Sequence, residues 1–236
     1  AGKNVDGHRY IPQAIARGAA AVVGEQPRPA GLPAGVGYAQ VPDGREALAL
    51  LAAAWHGHPS RKMTVIGVTG TDGKTTTCNL IHSILTAAGR RAGLVTTVNA
   101  VIGERVMETG LHTTTPDAPD VQGYLAEMVA AGIEIAVLEA TSHGLAQKRV
   151  AACEFDLGVV TNITHEHLDY HGDYQGYLKA KAELFRLVAA TRDKNLPVKK
   201  LAVINKDDQS YPELKRILEQ IKLPWVGYST RTQADF

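Results

Sequence analysis

The chain has 236 residues, 44% hydrophobic and 21% charged, with a formal net charge of +1. That is ordinary globular composition, long enough for one large domain or two smaller ones with a real core. The balanced charge offers no polybasic surface for nucleic acid, and the longest apolar run, residues 47–55, is too short to span a bilayer.

Asp6-Gly7 marks a turn, and residues 11–18 carry helical spacing that ends at Gly18. Residues 20–23 and 38–41 are short strands, separated by a proline- and glycine-rich loop over 25–37. Asp43, followed three residues later by Glu46, makes a capping box in front of an apolar helix over 47–55. Gly57-His58-Pro59-Ser60 ends that helix and has the composition of a linker. Beyond it, strands are predicted at 65–68, 92–97, 133–138, 157–161, 201–204 and 225–227. Helices are predicted at 77–88, 120–131, 174–188 and 213–220. The alternation gives an α/β fold class. A central phosphate-loop domain over 60–236, with a mostly parallel sheet flanked by helices, follows a small α/β unit over 1–59. Ligands of such sheets bind at the carboxyl ends of the strands.

The strand at 65–68 runs into Thr69-Gly70-Thr71-Asp72-Gly73-Lys74-Thr75-Thr76 and then into a helix. Glycines let the backbone curl its N–H groups around an anion, the helix N-terminus adds positive charge, and a lysine reaches the outer phosphates. The general G-x-x-x-x-G-K-[ST] pattern needs glycine at 68, where Val68 stands; the glycines fall at 67, 70 and 73. The alternative is a glycine-rich turn that binds nothing.

Other strand ends carry polar residues. Glu139, directly after an apolar strand, is placed to bind Mg²⁺ or to cap the following turn. Thr164-His165-Glu166-His167-Leu168-Asp169-Tyr170-His171 is dense in histidine, without zincin or structural-zinc spacing; it supplies a Mg²⁺ neighbour or is a polar loop. Asn205-Lys206-Asp207-Asp208 has the pattern of a GTPase guanine reader, against which the phosphate-loop spacing speaks. Thr113-Thr114-Thr115-Pro116-Asp117 suits an anion or a helix cap. Gln147, Lys148 and Arg149 suit a carboxylate or phosphate clamp, or a solvated basic stretch. On residue type alone Lys181 reads as a solvated helix lysine. The two cysteines, Cys78 and Cys153, have no metal or redox spacing and are expected as reduced, buried thiols of a cytoplasmic protein.

Together these strings resemble the Mur ligase family. They are Val5-Asp6-Gly7-His8-Arg9-Tyr10-Ile11-Pro12, Gly70-Thr71-Asp72-Gly73-Lys74-Thr75-Thr76-Thr77, Thr113-Thr114-Thr115-Pro116-Asp117, Glu139-Ala140-Thr141-Ser142-His143-Gly144-Leu145 and His167-Leu168-Asp169-Tyr170-His171-Gly172. The last two narrow the resemblance to the member that adds the third residue of the peptidoglycan stem peptide.

The resemblance implies ATP and Mg²⁺ as cofactors and UDP-MurNAc-dipeptide and an amino acid as small-molecule substrates. It implies a monomer with no nucleic-acid or membrane partner. Gly70, Thr71, Asp72, Gly73, Lys74, Thr75 and Thr76 would bind ATP, with Asn205 and Asp208 near the nucleotide. Thr75, Glu139 and His167 would hold magnesium, and Lys181 would be carbamylated. Gly2, Lys3, Asn4, Thr113, Thr114, Thr115, Thr141, Ser142, Gln147 and Arg149 would bind the UDP-sugar peptide. Thr141 stands where the family usually has serine, which keeps the hydroxyl. The family's third domain and the first domain's opening strands have no counterpart, so the chain is expected to be a fragment. Sibling ligases, such as folylpolyglutamate synthetase or a cyanophycin-synthetase-like enzyme, and a non-catalytic nucleotide-binding fragment are the rival expectations.

Overall fold

The computed structural model describes residues 6–109, 115–164 and 168–235. A short 3-10 turn, Gly7–Tyr10, leads into α1 (Ile11–Ala16), β1 (Ala21–Gly24), β2 (Gly37–Gln40) and α2 (Gly44–Trp55). β1 and β2 form a two-stranded parallel pair. Asp43 caps α2, its Oδ1 accepting from the N–H groups of Arg45 and Glu46 at 2.9 and 3.0 Å. The preceding backbone donor, Gly44 N–H, is taken by the Glu25 carboxylate at 2.8 Å, so the cap is shared between Asp43 and a strand end.

The stretch expected to be a linker is built into the fold. Pro59 and Ser60 are buried in a 3-10 turn, Pro59–Lys62, and the Ser60 hydroxyl accepts from Glu154 N–H at 3.3 Å. Ala49 and Ala53 of α2 pack against Ala118 and Ala152, whose small side chains let the helices approach closely.

β3 (Thr64–Thr69) is followed by α3 (Lys74–Ala87), β4 (Ala92–Val95), β5 (Asn99–Ile102), β6 (Arg105–Glu108), α4 (Ala118–Ala130) and β7 (Ile135–Glu139). Then come α5 (Ser142–Ala146), β8 (Leu157–Val160), α6 (Leu168–His171), α7 (Tyr174–Ala190), β9 (Leu201–Asn205), α8 (Tyr211–Gln220) and β10 (Trp225–Tyr228). The eight strands order as β10-β9-β8-β3-β7-β4-β5-β6. All pairings are parallel except β4 with β5 and β5 with β6. β3 is central, which puts its carboxyl end between those of β7 and β8.

The β5–β6 hairpin is absent from the periodicity. Its strands are four residues each and β6 is largely exposed, so no long alternation announces it. Gly103, with φ of 60° and an ordinary φ at Glu104, supplies the pattern of a type II′ hairpin turn. No helix among the described residues is long and apolar enough to cross a membrane.

The main core lies between the sheet and α4, α7 and α8. On α7 the buried residues are Tyr177, Leu178, Lys181, Ala182, Leu184, Phe185 and Val188, a stripe at helical spacing. Each large apolar member contributes roughly 1.5–3 kcal/mol by leaving water. Gly67 belongs to this packing and not to the phosphate loop. A Cβ there would meet Leu184 Cδ1 at 2.6 Å and Phe155 Cδ1 at 2.8 Å.

At the amino ends of the strands a second buried lysine clamps the sheet. Lys194 Nζ donates to Asp156 Oδ2 at 2.7 Å, to Met63 O at 3.3 Å and to Glu154 O. The same carboxylate oxygen accepts from Val65 N–H at 2.8 Å, so Lys194 and Asp156 tie the starts of β3 and β8 together. Burial pushes the Lys194 amine below its usual range, with Asp156 pulling the other way.

Candidate active site

At the carboxyl end of β3 the backbone turns through Gly70 and Gly73. Gly73 sits at φ of 74°, a left-handed conformation suited to glycine, and α3 begins at the next residue. The helix therefore starts at Lys74, earlier than the apolar pattern suggests. Lys74, Thr75 and Thr76 occupy its first turn, where backbone N–H groups lack partners within the helix. At Gly70 there is no room for a Cβ, which would collide with Thr161 Oγ1.

The loop is held from outside. Thr71 N–H donates to Asn162 O at 2.8 Å, and the Asn162 amide brackets Asp72, accepting from its N–H at 3.0 Å and donating to its carbonyl at 3.2 Å. Thr161 Oγ1 donates to the same carbonyl at 2.7 Å. Thr71 Oγ1 accepts from Thr164 N–H at 2.9 Å and lies 3.3 Å from the Tyr177 hydroxyl. Lys74 Nζ folds onto Thr71 O at 2.7 Å.

The register of β7 against β3 pairs Glu139 with Val68, which brings its carboxylate beside the loop. Glu139 is buried and accepts the Thr75 hydroxyl at 2.8 Å and Thr97 N–H at 3.3 Å. The cap role weighed for Glu139 falls to Thr141, whose Oγ1 accepts Gly144 N–H at 3.0 Å at the start of α5.

Lys181 is 1% exposed, which overturns the solvated reading of this residue. It sits in the apolar stripe of α7, and its amine donates to Gly70 O at 2.5 Å while lying 4.4 Å from the centre of the Tyr177 ring. The stripe at 177, 178, 181, 184, 185 and 188 carried this placement in the sequence.

Lys74, Thr75, Glu139, Thr141, Ser142, Gln147 and Lys181 line one cavity of about 350 Å³, with Thr97, His143 and Tyr177. The last three were not singled out as site residues. Tyr177 was visible only as an apolar-stripe position, and Thr97 only as the end of a strand. His143 lies tilted against Tyr170 and edge-on to His171, with ring centres 4.2 and 5.6 Å away.

Arg149 is part-buried and not a solvated cation. Its guanidinium donates to Thr115 O at 2.7 Å, pairs with Asp117 at 2.9 Å, and grips Gln147 Oε1 through Nε and Nη2 at 3.0 and 2.9 Å. Thr115 and Thr141 exchange hydrogen bonds through both hydroxyls, at 3.0 Å from Thr141 N–H and 3.4 Å from Thr115 N–H. Asp117, Gln147 and Arg149 help frame a second hollow of about 260 Å³, to which α2 contributes Arg45 and Leu48. Asn205 and Asp208 do not line the main cavity; they hold the segment 161–163 from behind. Gly2, Lys3, Asn4, Thr113, Thr114 and His167 lie outside the described residues.

Oxygen donors from Thr75 and Glu139, beside a glycine loop and a lysine, suit a magnesium–nucleotide pair. Magnesium takes one or two carboxylates and completes its shell with water and phosphate oxygens.

Fold and site define a phosphate-loop α/β protein with a buried acid and a buried lysine at the loop. A model described as the Mur ligase middle domain matches residues 68–236, and one described as Mur ligase family, catalytic domain, matches residues 1–56. The chain belongs to the Mur ligase family. It is 50% identical over 212 residues to a UDP-N-acetylmuramyl-tripeptide synthetase of Roseiflexus sp. (strain RS-1), covering 88% of this chain and 41% of that protein. It is 39% identical over 234 residues to a UDP-N-acetylmuramoyl-L-alanyl-D-glutamate--2,6-diaminopimelate ligase of Geobacillus thermodenitrificans (strain NG80-2), covering 99% and 46%. A solved structure of a protein with that same ligase name superposes with a TM-score of 0.78 at 29% identity, covering 96% of this chain and 44% of the other. The chain thus spans less than half the length of these relatives.

Proposed function

We propose that this chain forms the nucleotide-binding part of an ATP-dependent ligase. That enzyme joins the third stem-peptide amino acid, diaminopimelate or lysine, to UDP-MurNAc-L-Ala-D-Glu. The observation that carries this reading is the convergence of Lys74, Thr75, Glu139 and Lys181 on one cavity beside Thr141, Ser142 and Gln147. The names of the relatives support the substrate.

The chemistry is carboxylate activation. A carboxylate oxygen of D-glutamate attacks the γ-phosphorus of ATP, the bond to the β-phosphate oxygen breaks, and ADP leaves. An amine then attacks the acyl phosphate carbon, loses a proton, and expels inorganic phosphate. Phosphoryl transfer of this kind is mostly positioning and charge neutralisation. The loop N–H groups and the start of α3 cradle the phosphates, and Lys74 exchanges Thr71 O for a phosphate oxygen. The Thr75 hydroxyl and Glu139 carboxylate would hold Mg²⁺, which supplies further neutralisation. Carbamylation of the Lys181 ammonium by CO₂ would form an N–C bond, release two protons and leave one N–H still able to donate to Gly70 O. The cation on Gly70 O would become an anion in the cavity that Thr75 and Glu139 also line.

Lys74→Ala in the intact protein is expected to abolish phosphate release that depends on UDP-MurNAc-dipeptide and amino acid. Wild-type turnover in the variant would sink the assignment. Thermal stabilisation by a folate and not by the UDP-sugar peptide would transfer the reading to a sibling ligase.

A further inference from the structure

We propose that Asn205 and Asp208 are positioning residues that hold the phosphate loop in its binding shape through the segment 161–163, and that neither reads the nucleotide base. This rests on the nucleotide-binding reading above.

The polar ends of both side chains are engaged by the chain itself. Asp208 Oδ1 accepts from Ile163 N–H at 3.1 Å, from Ser210 N–H at 3.0 Å and from the Ser210 hydroxyl. Asn205 donates its amide to Thr161 O at 3.1 Å and accepts Asp207 N–H on its Oδ1 at 2.9 Å. Two neighbours reinforce the grip: the Tyr228 hydroxyl donates to Thr161 O at 3.2 Å, and the Gln209 amide donates to Ile163 O at 3.1 Å. The segment so gripped is the one whose Thr161 and Asn162 bracket Asp72 and Thr71 in the phosphate loop. Two layers of hydrogen bonds therefore connect the end of β9 to the anion cradle. A cradle of backbone N–H groups binds only when those groups already point inward, and ordering a free backbone residue opposes binding. A guanine reader needs its acid oriented at a ligand. Here the acid's Oδ1 is turned inward to the Ile163 N–H, in the segment that follows β8.

The test is calorimetric, on the intact protein with magnesium, using ATP and base-free tripolyphosphate as probes. Asp208→Ala should weaken both by the same factor, on the order of 10-fold. Asp208→Asn keeps the Oδ1 acceptor and should stay near wild type for both. Tyr228→Phe, which removes one hydroxyl from a strand residue and spares the packing, should weaken both a few-fold; it keeps the test decisive if Asp208→Ala does not fold. Loss confined to ATP would mark a base contact and overturn the proposal. So would unchanged affinity for both probes in a variant of lowered melting temperature, which marks a merely structural role. A wild-type protein that binds ATP and not tripolyphosphate also overturns it. Binding of neither probe by the wild type would bring down the nucleotide reading itself.

Discussion

The two ends of the parallel sheet each bury a lysine, and the two lysines do opposite work. Lys194, at the amino ends of β3 and β8, faces Asp156 at 2.7 Å with both side chains almost fully buried. Its charge is spent on holding strands in place. Lys181, at the carboxyl ends, places its amine on the carbonyl of Gly70 and over the Tyr177 ring, inside the cavity with Lys74 and Glu139. One buried charge is matched to a carboxylate; the other is spent on the backbone of the glycine loop, at the wall of the candidate site.

Substitution by methionine separates the two most sharply. Lys181→Met fits the apolar stripe of α7 and takes one donor from the Gly70 carbonyl, at a cost of about 1–3 kcal/mol. Ligation is expected to fall on the order of 10³-fold, measured as phosphate release, while the melting temperature moves only a few degrees. Lys194→Met strands the Asp156 carboxylate in the interior and should cost about 3–5 kcal/mol in a denaturant titration. Its ATP affinity should stay within about two-fold of wild type. A Lys194→Met protein that folds well yet loses ATP would erase the distinction between the ends.

The smallest effect concerns the cysteines, one behind each end. Burial pushes the Cys153 thiol from 9.0 up to about 12, and burial also raises Cys78 on α3. A thiol harder to ionise in the folded state than in the unfolded one supports folding fully below pH 9. For Cys153 that support drains as pH rises from about 9 toward about 12, by roughly 1.4 kcal/mol per pH unit. Cys153→Ala should flatten the alkaline fall in unfolding free energy by one proton's worth. An unchanged slope would show that Cys153 ionises equally in both states.

Strand and helix alternation was legible because α7 and the strands β3, β7 and β8 are apolar at their own periods. The phosphate loop was legible because strand, glycines, Lys74 and Thr75 are contiguous. The brace around the loop was not. Thr161 and Asn162 meet Asp72 across about ninety residues, and no local spacing encodes a contact of that range. Arg149 illustrates the same limit: residue type left a substrate clamp and a solvated cation both open, and the partners that argue against the solvated one, Thr115, Asp117 and Gln147, come only with the fold. Lys181 was the reverse case. Its position in the apolar stripe was visible, but its charge argued for water, and only the docking of α7 on β3 shows which prevails.

That docking makes Gly67 a gauge block. Leu184, which fills the space above Gly67, stands one turn along α7 from Lys181. The missing side chain on the strand fixes how far the helix stands off the sheet, and hence the reach of the amine three residues earlier. Even a methyl at 67 would press on the ends of Leu184 and Phe155, so the packing that sets the height of Lys181 would be disturbed with no atom of the candidate site changed.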